Sequence, residues 1–117
     1  MLRIYWATAA LCGFAMLPSM ALAHAHLVAS TPAANARVAG PNVTMDLRFN
    51  SRVDGQHSML KLVKPDGTTE TLKLDGQHDA TMLDAHAKLE RGRYTLLWQA
   101  LAPDGHITRG EIPFMVQ

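Results

Sequence analysis

Cysteine is almost absent from this sequence. The single cysteine, Cys12, lies in an apolar segment near the start of the chain and is followed by Gly13-Phe14, which does not suggest lipid attachment. Residues 24–117 therefore offer neither a disulfide nor a thiolate ligand. A domain built from them must rely on its apolar core, which is feasible but modest at this size.

The sequence also lacks an apolar run long enough to span a membrane. The segment Ile4 to Leu17 is about 14 residues long, whereas a spanning helix needs roughly 20. Arg3 precedes this segment, and Ala21-Leu22-Ala23 follows it with the small-x-small pattern that signal peptidase recognises. We therefore expect residues 1–23 to be a cleaved secretory signal peptide and the protein to be periplasmic. An uncleaved anchor is the alternative.

No single sign of charge dominates the remaining chain. Cleavage after Ala23 leaves 94 of the 117 residues and removes Arg3, so that Lys+Arg falls from 11 to 10, equal to the 10 Asp+Glu. A formal net charge of zero gives no field that would favour nucleic acid or an anionic membrane. With no internal repeat and no long linker, we expect one compact domain, a monomer, that binds no nucleic acid.

Helical periodicity is absent after residue 23, and short segments with alternating polarity take its place. Two segments place four apolar residues each on one face of a strand, the first being Val43, Met45, Leu47 and Phe49, and the second Tyr94, Leu96, Trp98 and Ala100. Further strands are predicted at residues 27–28, 59–63, 68–74, 80–83 and 107–116, and residues 85–89 as a helical turn or a loop. About seven short strands in 94 residues predict an all-β fold, a single immunoglobulin-like, Greek-key β-sandwich.

All six histidines lie after the predicted cleavage site. Cleavage would make His24 the first residue, with an α-amine and an imidazole as two nitrogen ligands, the donors that copper(II) favours. Asp104 and His106 are two positions apart, so their side chains could address one ion together. The alternative for Asp104-Gly105-His106 is an ordinary turn in which the histidine is incidental.

Three stretches of the chain resemble the CopC family of periplasmic copper-resistance proteins. They are His24-Ala25-His26-Leu27-Val28-Ala29-Ser30-Thr31-Pro32-Ala33, Val43-Thr44-Met45-Asp46-Leu47-Arg48-Phe49, and the C-terminal region with Gly92-Arg93-Tyr94-Thr95-Leu96-Leu97-Trp98, Asp104-Gly105-His106-Ile107-Thr108-Arg109-Gly110 and Phe114-Met115-Val116. The similarity extends over nearly all of residues 24–117 and keeps the family's spacing at both ends.

The resemblance implies a copper(II) site of the histidine-brace type. Its ligands would be the amine and imidazole of His24, the imidazole of His106 and the carboxylate of Asp104, with one copper(II) per chain. It also implies a non-catalytic carrier or buffer that passes copper to a copper transport protein of the inner membrane. A water molecule is the alternative to Asp104 as the fourth in-plane ligand.

The sequence departs from the family in two respects. Many members carry an acidic residue where this chain has Ser51, which puts in doubt a contribution of that charge to copper affinity. Some members also hold copper(I) in a methionine-rich loop, whereas the methionines after residue 23 are scattered singly and are typical of core filler: Met45, Met59, Met82 and Met115. We therefore predict no copper(I) site of that type.

Two rival copper sites remain open on sequence grounds. A free amine, two deprotonated backbone amides and the imidazole of His26 could form a planar terminal chelate. Asp84 and His86 repeat the Asp-x-His spacing of Asp104 and His106. For His57, His78 and His86 an exposed surface position is favoured.

Two other functions compete with the copper carrier. A histidine brace also serves copper oxygenases that act on polysaccharides, but 94 residues leave little area for a flat substrate-binding face. The third possibility is a plain interaction module of immunoglobulin-like type with incidental histidines. We favour the carrier and predict that the protein is not an enzyme.

Overall fold

The computed structural model describes residues 24–117, so the predicted signal peptide lies outside the described residues. Within this range the chain forms eight strands: β1 Leu27–Thr31, β2 Ala36–Val38, β3 Asn42–Phe49, β4 Met59–Val63, β5 Thr69–Leu72, β6 Met82–Lys88, β7 Gly92–Leu101 and β8 Ile107–Val116. Over the same residues the structure contains no helix that is long and apolar enough to cross a membrane.

The strands form two sheets. One has three strands in the order β1-β3-β6, and the other has five in the order β2-β8-β7-β4-β5. All pairs are antiparallel except β2 with β8, which run parallel. The predicted all-β sandwich is confirmed, with one strand more than the seven expected.

The core lies between the two sheets and is filled by the alternating residues predicted from sequence. The four apolar residues of β3 and the four of β7 are all buried. Phe49 of β3 and Trp98 of β7 meet across the sandwich with ring centroids 5.3 Å apart in an edge-to-face arrangement. Gly110, opposite Trp98 on β8, leaves space for the indole, because a Cβ atom there would lie 2.5 Å from it.

A tyrosine fixes the crossover between the sheets. Strand β6 ends in the three-stranded sheet and β7 begins in the other, with only residues 89–91 between them. The hydroxyl of Tyr94 donates a hydrogen bond to the carbonyl of Glu90 over 2.8 Å. Immunoglobulin-like sandwiches use a tyrosine corner of this kind to hold the chain where it changes sheet.

Three details differ from the sequence prediction. Residues 85–88 form strand where a helical turn or loop was expected over 85–89, because β6 continues through Lys88 and pairs with β3 along its length. The hairpin partner expected at residues 68–74 shortens to β5. Strand β2 was not predicted, since its three residues are ordered by parallel pairing with β8 rather than by a local pattern.

Candidate metal centre

The two ends of the predicted site meet at one end of the sandwich. Strands β1 and β8 both begin there, and the Thr108 hydroxyl at the start of β8 donates a 2.7 Å hydrogen bond to the carbonyl of Ala25. This contact brings the chain before β1 beside the turn before β8. The imidazole rings of His24 and His106 consequently lie edge to face, with centroids 4.6 Å apart and an interplanar angle of 71°.

The tight turn between β7 and β8 presents His106. The amide of Gly105 donates to the carbonyl of Ala102 over 2.9 Å, and the amide of Ala102 donates to the carbonyl of His106 over 2.8 Å. Gly105 adopts a positive φ of 90°, a conformation that glycine reaches without the steric cost that a Cβ atom imposes. The glycine between the two predicted ligands therefore sets the turn that places them.

Asp104 holds His106 through two contacts. One carboxylate oxygen accepts from the His106 backbone amide over 3.0 Å, and the other lies 2.8 Å from Nδ1 of its ring. These hydrogen bonds, the backbone one foremost, lower the pKa of Asp104 below its ordinary value, aided by the nearby charges of His106 and His24. An ionised carboxylate on Nδ1 fixes the ring and directs Nε2 outward as the nitrogen available to a metal.

The described side chains supply only part of a metal site. Over residues 24–117, no three side chains of His, Cys, Asp or Glu are arranged together to hold an ion. Two imidazoles are present, those of His24 and His106, with the Asp104 carboxylate in hydrogen-bond contact with the second. In the uncleaved chain the backbone nitrogen of His24 is an amide bonded to Ala23. A free amine at His24 would add a third nitrogen, and this nitrogen-rich donor set fits copper(II).

His26 lies beside the site but is tied to a different neighbour. Its ring centroid is 6.0 Å from that of His24. Its backbone amide donates to Oδ1 of Asn50 over 2.8 Å, and its carbonyl accepts from the Asn50 amide over 2.9 Å. The roles of Asn50 and Thr108 leave no local signal in the sequence, because their partners lie 24 and 83 positions away.

The second Asp-x-His pair is not brought together by the fold. Asp84 and His86 lie on β6, where Asp84 is paired in register with Asp46 of β3. The ring of His86 contacts the carboxylate of Asp75 at 3.1 Å instead. Burial, followed by the hydrogen bond and charge of neighbouring Asp46, raises the pKa of Asp84 to about 6.

The remaining positions flagged by the sequence lie elsewhere. His57 is exposed and contacts Asp54 at 2.8 Å, and His78 is exposed. The Ser51 hydroxyl is buried with no hydrogen-bond partner among residues 24–117. The four methionines after residue 23 lie on four different strands, β3, β4, β6 and β8. The absence of a copper(I) site of the methionine-rich type remains a prediction.

Known proteins resemble this chain in sequence. It is 33% identical over 99 residues to Protein YobA of Escherichia coli (strain K12), covering 81% of this chain and 80% of that protein. It is 27% identical over 111 residues to Copper resistance protein C of Pseudomonas syringae pv. tomato, covering 87% of each. It is 29% identical over 121 residues to Copper transport protein CutJ of Bacillus subtilis, matching 99% of this chain but spanning only 22% of that protein.

Solved structures of two proteins, CopC and PcoC, have a similar fold, and a family model also matches the chain. CopC from Methylosinus trichosporium OB3b superposes with a TM-score of 0.71 at 30% identity, covering 80% of this chain and 94% of that one. PcoC from Escherichia coli, a methionine-rich copper resistance protein, gives 0.69 at 25% identity, covering 81% and 100%. The sequence profile of the CopC domain matches residues 27–117. The chain therefore belongs to the CopC family.

Proposed function

We propose that this protein is a periplasmic copper(II) carrier or buffer that holds one ion in a histidine brace. The ligands are the amine and imidazole of His24, the imidazole of His106 and the carboxylate of Asp104, which must exchange its contact with Nδ1 of His106 for the ion. The observation that carries the proposal is the 4.6 Å approach of the His24 and His106 rings, with Asp104 fixing the second ring. The bound copper is cargo, and the role is non-catalytic.

The relatives support copper as the ion. Two of the similar proteins are named as a copper transport protein and a copper resistance protein, and PcoC is described as a copper resistance protein. The nitrogen-rich donor set favours copper(II), which also exceeds zinc in the divalent affinity order. Delivery to a copper transport protein of the inner membrane is part of the proposal.

The brace requires that the signal peptide be cleaved after Ala23. Cleavage would convert the amide nitrogen of His24 into an amine that can bind the ion through the same residue as its imidazole. Before cleavage only the two imidazoles and the carboxylate are available, so the proposal predicts weak binding by the precursor. Metal affinity of this kind falls at low pH because the amine and the imidazoles must lose their protons.

The test is a copper(II) competition titration on two versions of the processed protein. One begins at His24, and the other carries one additional alanine before it, which converts the amine to an amide but leaves every side chain in place. We expect tight binding for the first and its loss for the second. Tight binding by both would overturn the brace and would direct attention to an internal site. A reductant-dependent peroxide assay should show only background turnover.

A further inference from the structure

The peptide group between the second and third residues after the predicted cleavage site is held on both sides. The carbonyl of the Ala25–His26 peptide accepts from the Thr108 hydroxyl over 2.7 Å. The amide N–H of the same peptide donates to Oδ1 of Asn50 over 2.8 Å. Ala25 is fully buried, and its carbonyl contact is partly buried. This pair of hydrogen bonds constitutes the peptide clamp.

The peptide clamp holds the His26 amide nitrogen, which the rival copper site requires as a ligand. In the planar terminal chelate, the amides of Ala25 and His26 both lose their protons and bind copper(II) together with the amine and the His26 imidazole. Two N–H bonds break, two copper–nitrogen bonds form, and two protons pass to the buffer. The His26 amide cannot do this while it donates to Asn50. Leaving the partly buried Ala25 carbonyl without the Thr108 hydroxyl adds a further cost.

Resting on the proposed function, we propose that Asn50 and Thr108 are positioning residues that reserve the N-terminus for the brace. They keep the Ala25–His26 peptide in line with β1 and out of reach of the ion. The free amine and His24 imidazole then face His106 rather than folding back on His26. Neither residue is a metal ligand, and both determine which of two copper sites forms.

The competition between the two sites has a pH dependence that can be measured. Because the chelate releases two more protons than the brace, the ratio of chelate to brace should rise about 100-fold per pH unit. Loss of one hydrogen bond changes such a ratio roughly fivefold. Each clamp residue should therefore move the midpoint of the switch down by about 0.3 to 0.4 pH unit, and both together by about 0.7.

The experiment follows the copper(II) EPR and visible spectra of the protein beginning at His24 as the pH is raised. Thr108→Val removes the hydroxyl while preserving the shape of the side chain, and Thr108→Ser is its control because it keeps the donor. Asn50→Ala removes the acceptor, and Asn50→Asp retains one. We expect the switch at lower pH in T108V and N50A, and near the wild-type pH in T108S and N50D.

Two further measurements make the result decisive. Adding His26→Ala to the T108V/N50A protein should abolish the new spectrum, because that spectrum depends on the His26 imidazole. Hydrogen exchange of the His26 amide in the copper-free protein should accelerate in N50A, and melting curves should show that each variant is folded. Folded variants that bind copper with an unmoved midpoint would overturn the clamp and leave the brace standing. A wild-type protein that binds no copper would overturn both.

Discussion

The chain contains the Asp-x-His spacing twice, and the fold treats the two copies differently. Asp104 and His106 flank a glycine in a tight turn, where the carboxylate contacts both the backbone and the ring of the histidine. Asp84 and His86 flank a buried alanine in β6, where one faces Asp46 and the other contacts Asp75. Equal spacing in sequence thus gives a joined pair in a turn and two separate groups in a strand.

The largest expected difference between the two copies is in copper affinity on removal of the histidine. His106→Ala should weaken copper(II) binding roughly 100-fold or more, because even outer-shell partners of a metal ligand contribute 10- to 100-fold. His86→Ala removes the ring of the other copy, which is more exposed than that of His106, and should leave binding unchanged. A competition titration on both variants tests this, and a loss in the second alone would make Asp84/His86 the site.

The two carboxylates should differ in the same way as the two histidines. Asp104→Asn should weaken copper(II) binding roughly 10- to 100-fold, because the ionised group that orients His106 is lost. Asp84→Asn should have no effect on affinity. The EPR spectrum of D104N also identifies the fourth ligand, since it changes if Asp104 binds the ion and is conserved if water does.

The turn can be tested by replacing its middle residue, Gly105, with alanine, the residue that stands between Asp84 and His86 in β6. Gly105→Ala should destabilise the protein by about 1 kcal/mol, because φ near 90° is unfavourable for a residue with a Cβ atom. No atom lies within 4 Å of the added methyl group, so the cost is conformational rather than steric. Denaturant melts measure it, and unchanged stability would mean that the turn can relax.

A stability change of similar size is expected from the protonation of Asp84. The pKa of this carboxyl is about 6 in the folded protein, above its ordinary value of 3.8. The folded state therefore binds the proton more tightly, and the stability this provides at low pH is lost as the pH rises through about 6. After allowance for solvent screening, Asp84→Asn should be about 1 kcal/mol more stable than wild type at neutral pH.

The same variant carries its own control. Near pH 4 the wild-type carboxyl is largely protonated in the folded state, so the two proteins should then differ little in free energy of unfolding. Urea melts at both pH values distinguish the effect of Asp84 ionisation from an effect of the asparagine side chain that does not depend on pH. A constant difference across pH would show that proton binding at Asp84 is not its cause.

The sequence was most informative where one face of a strand is deeply buried. Strands β3 and β7 alternate large apolar residues with polar ones, and this pattern predicted their buried faces correctly. Strand β6 has the same alternation, but beyond Leu83 its inward residues are Ala85 and Ala87. Alanine carries little hydrophobic signal and favours helices, which is why a helical turn or a loop was expected there.

Some residues of the candidate site could be predicted from short sequence motifs, whereas others depend on contacts between distant parts of the chain. His24, Asp104 and His106 could be proposed because their chemistry is visible in short motifs, and the fold places the two histidines together. Asn50 looked only like the end of a strand and Thr108 like part of one. Their contacts with the chain before β1 depend on which strands become neighbours, which no local pattern specifies.

The Thr108–Ala25 hydrogen bond joins residues 83 positions apart, one just before the first strand and the other within the last. A copper ion shared by His24 and His106 would reinforce that junction in a domain that has no cysteine to link its ends. A fragment must extend from His24 to His106 to contain both halves of such a site. Capture of the ion would thus be a property of the complete fold, and proteolysis that removed either histidine would release the ion.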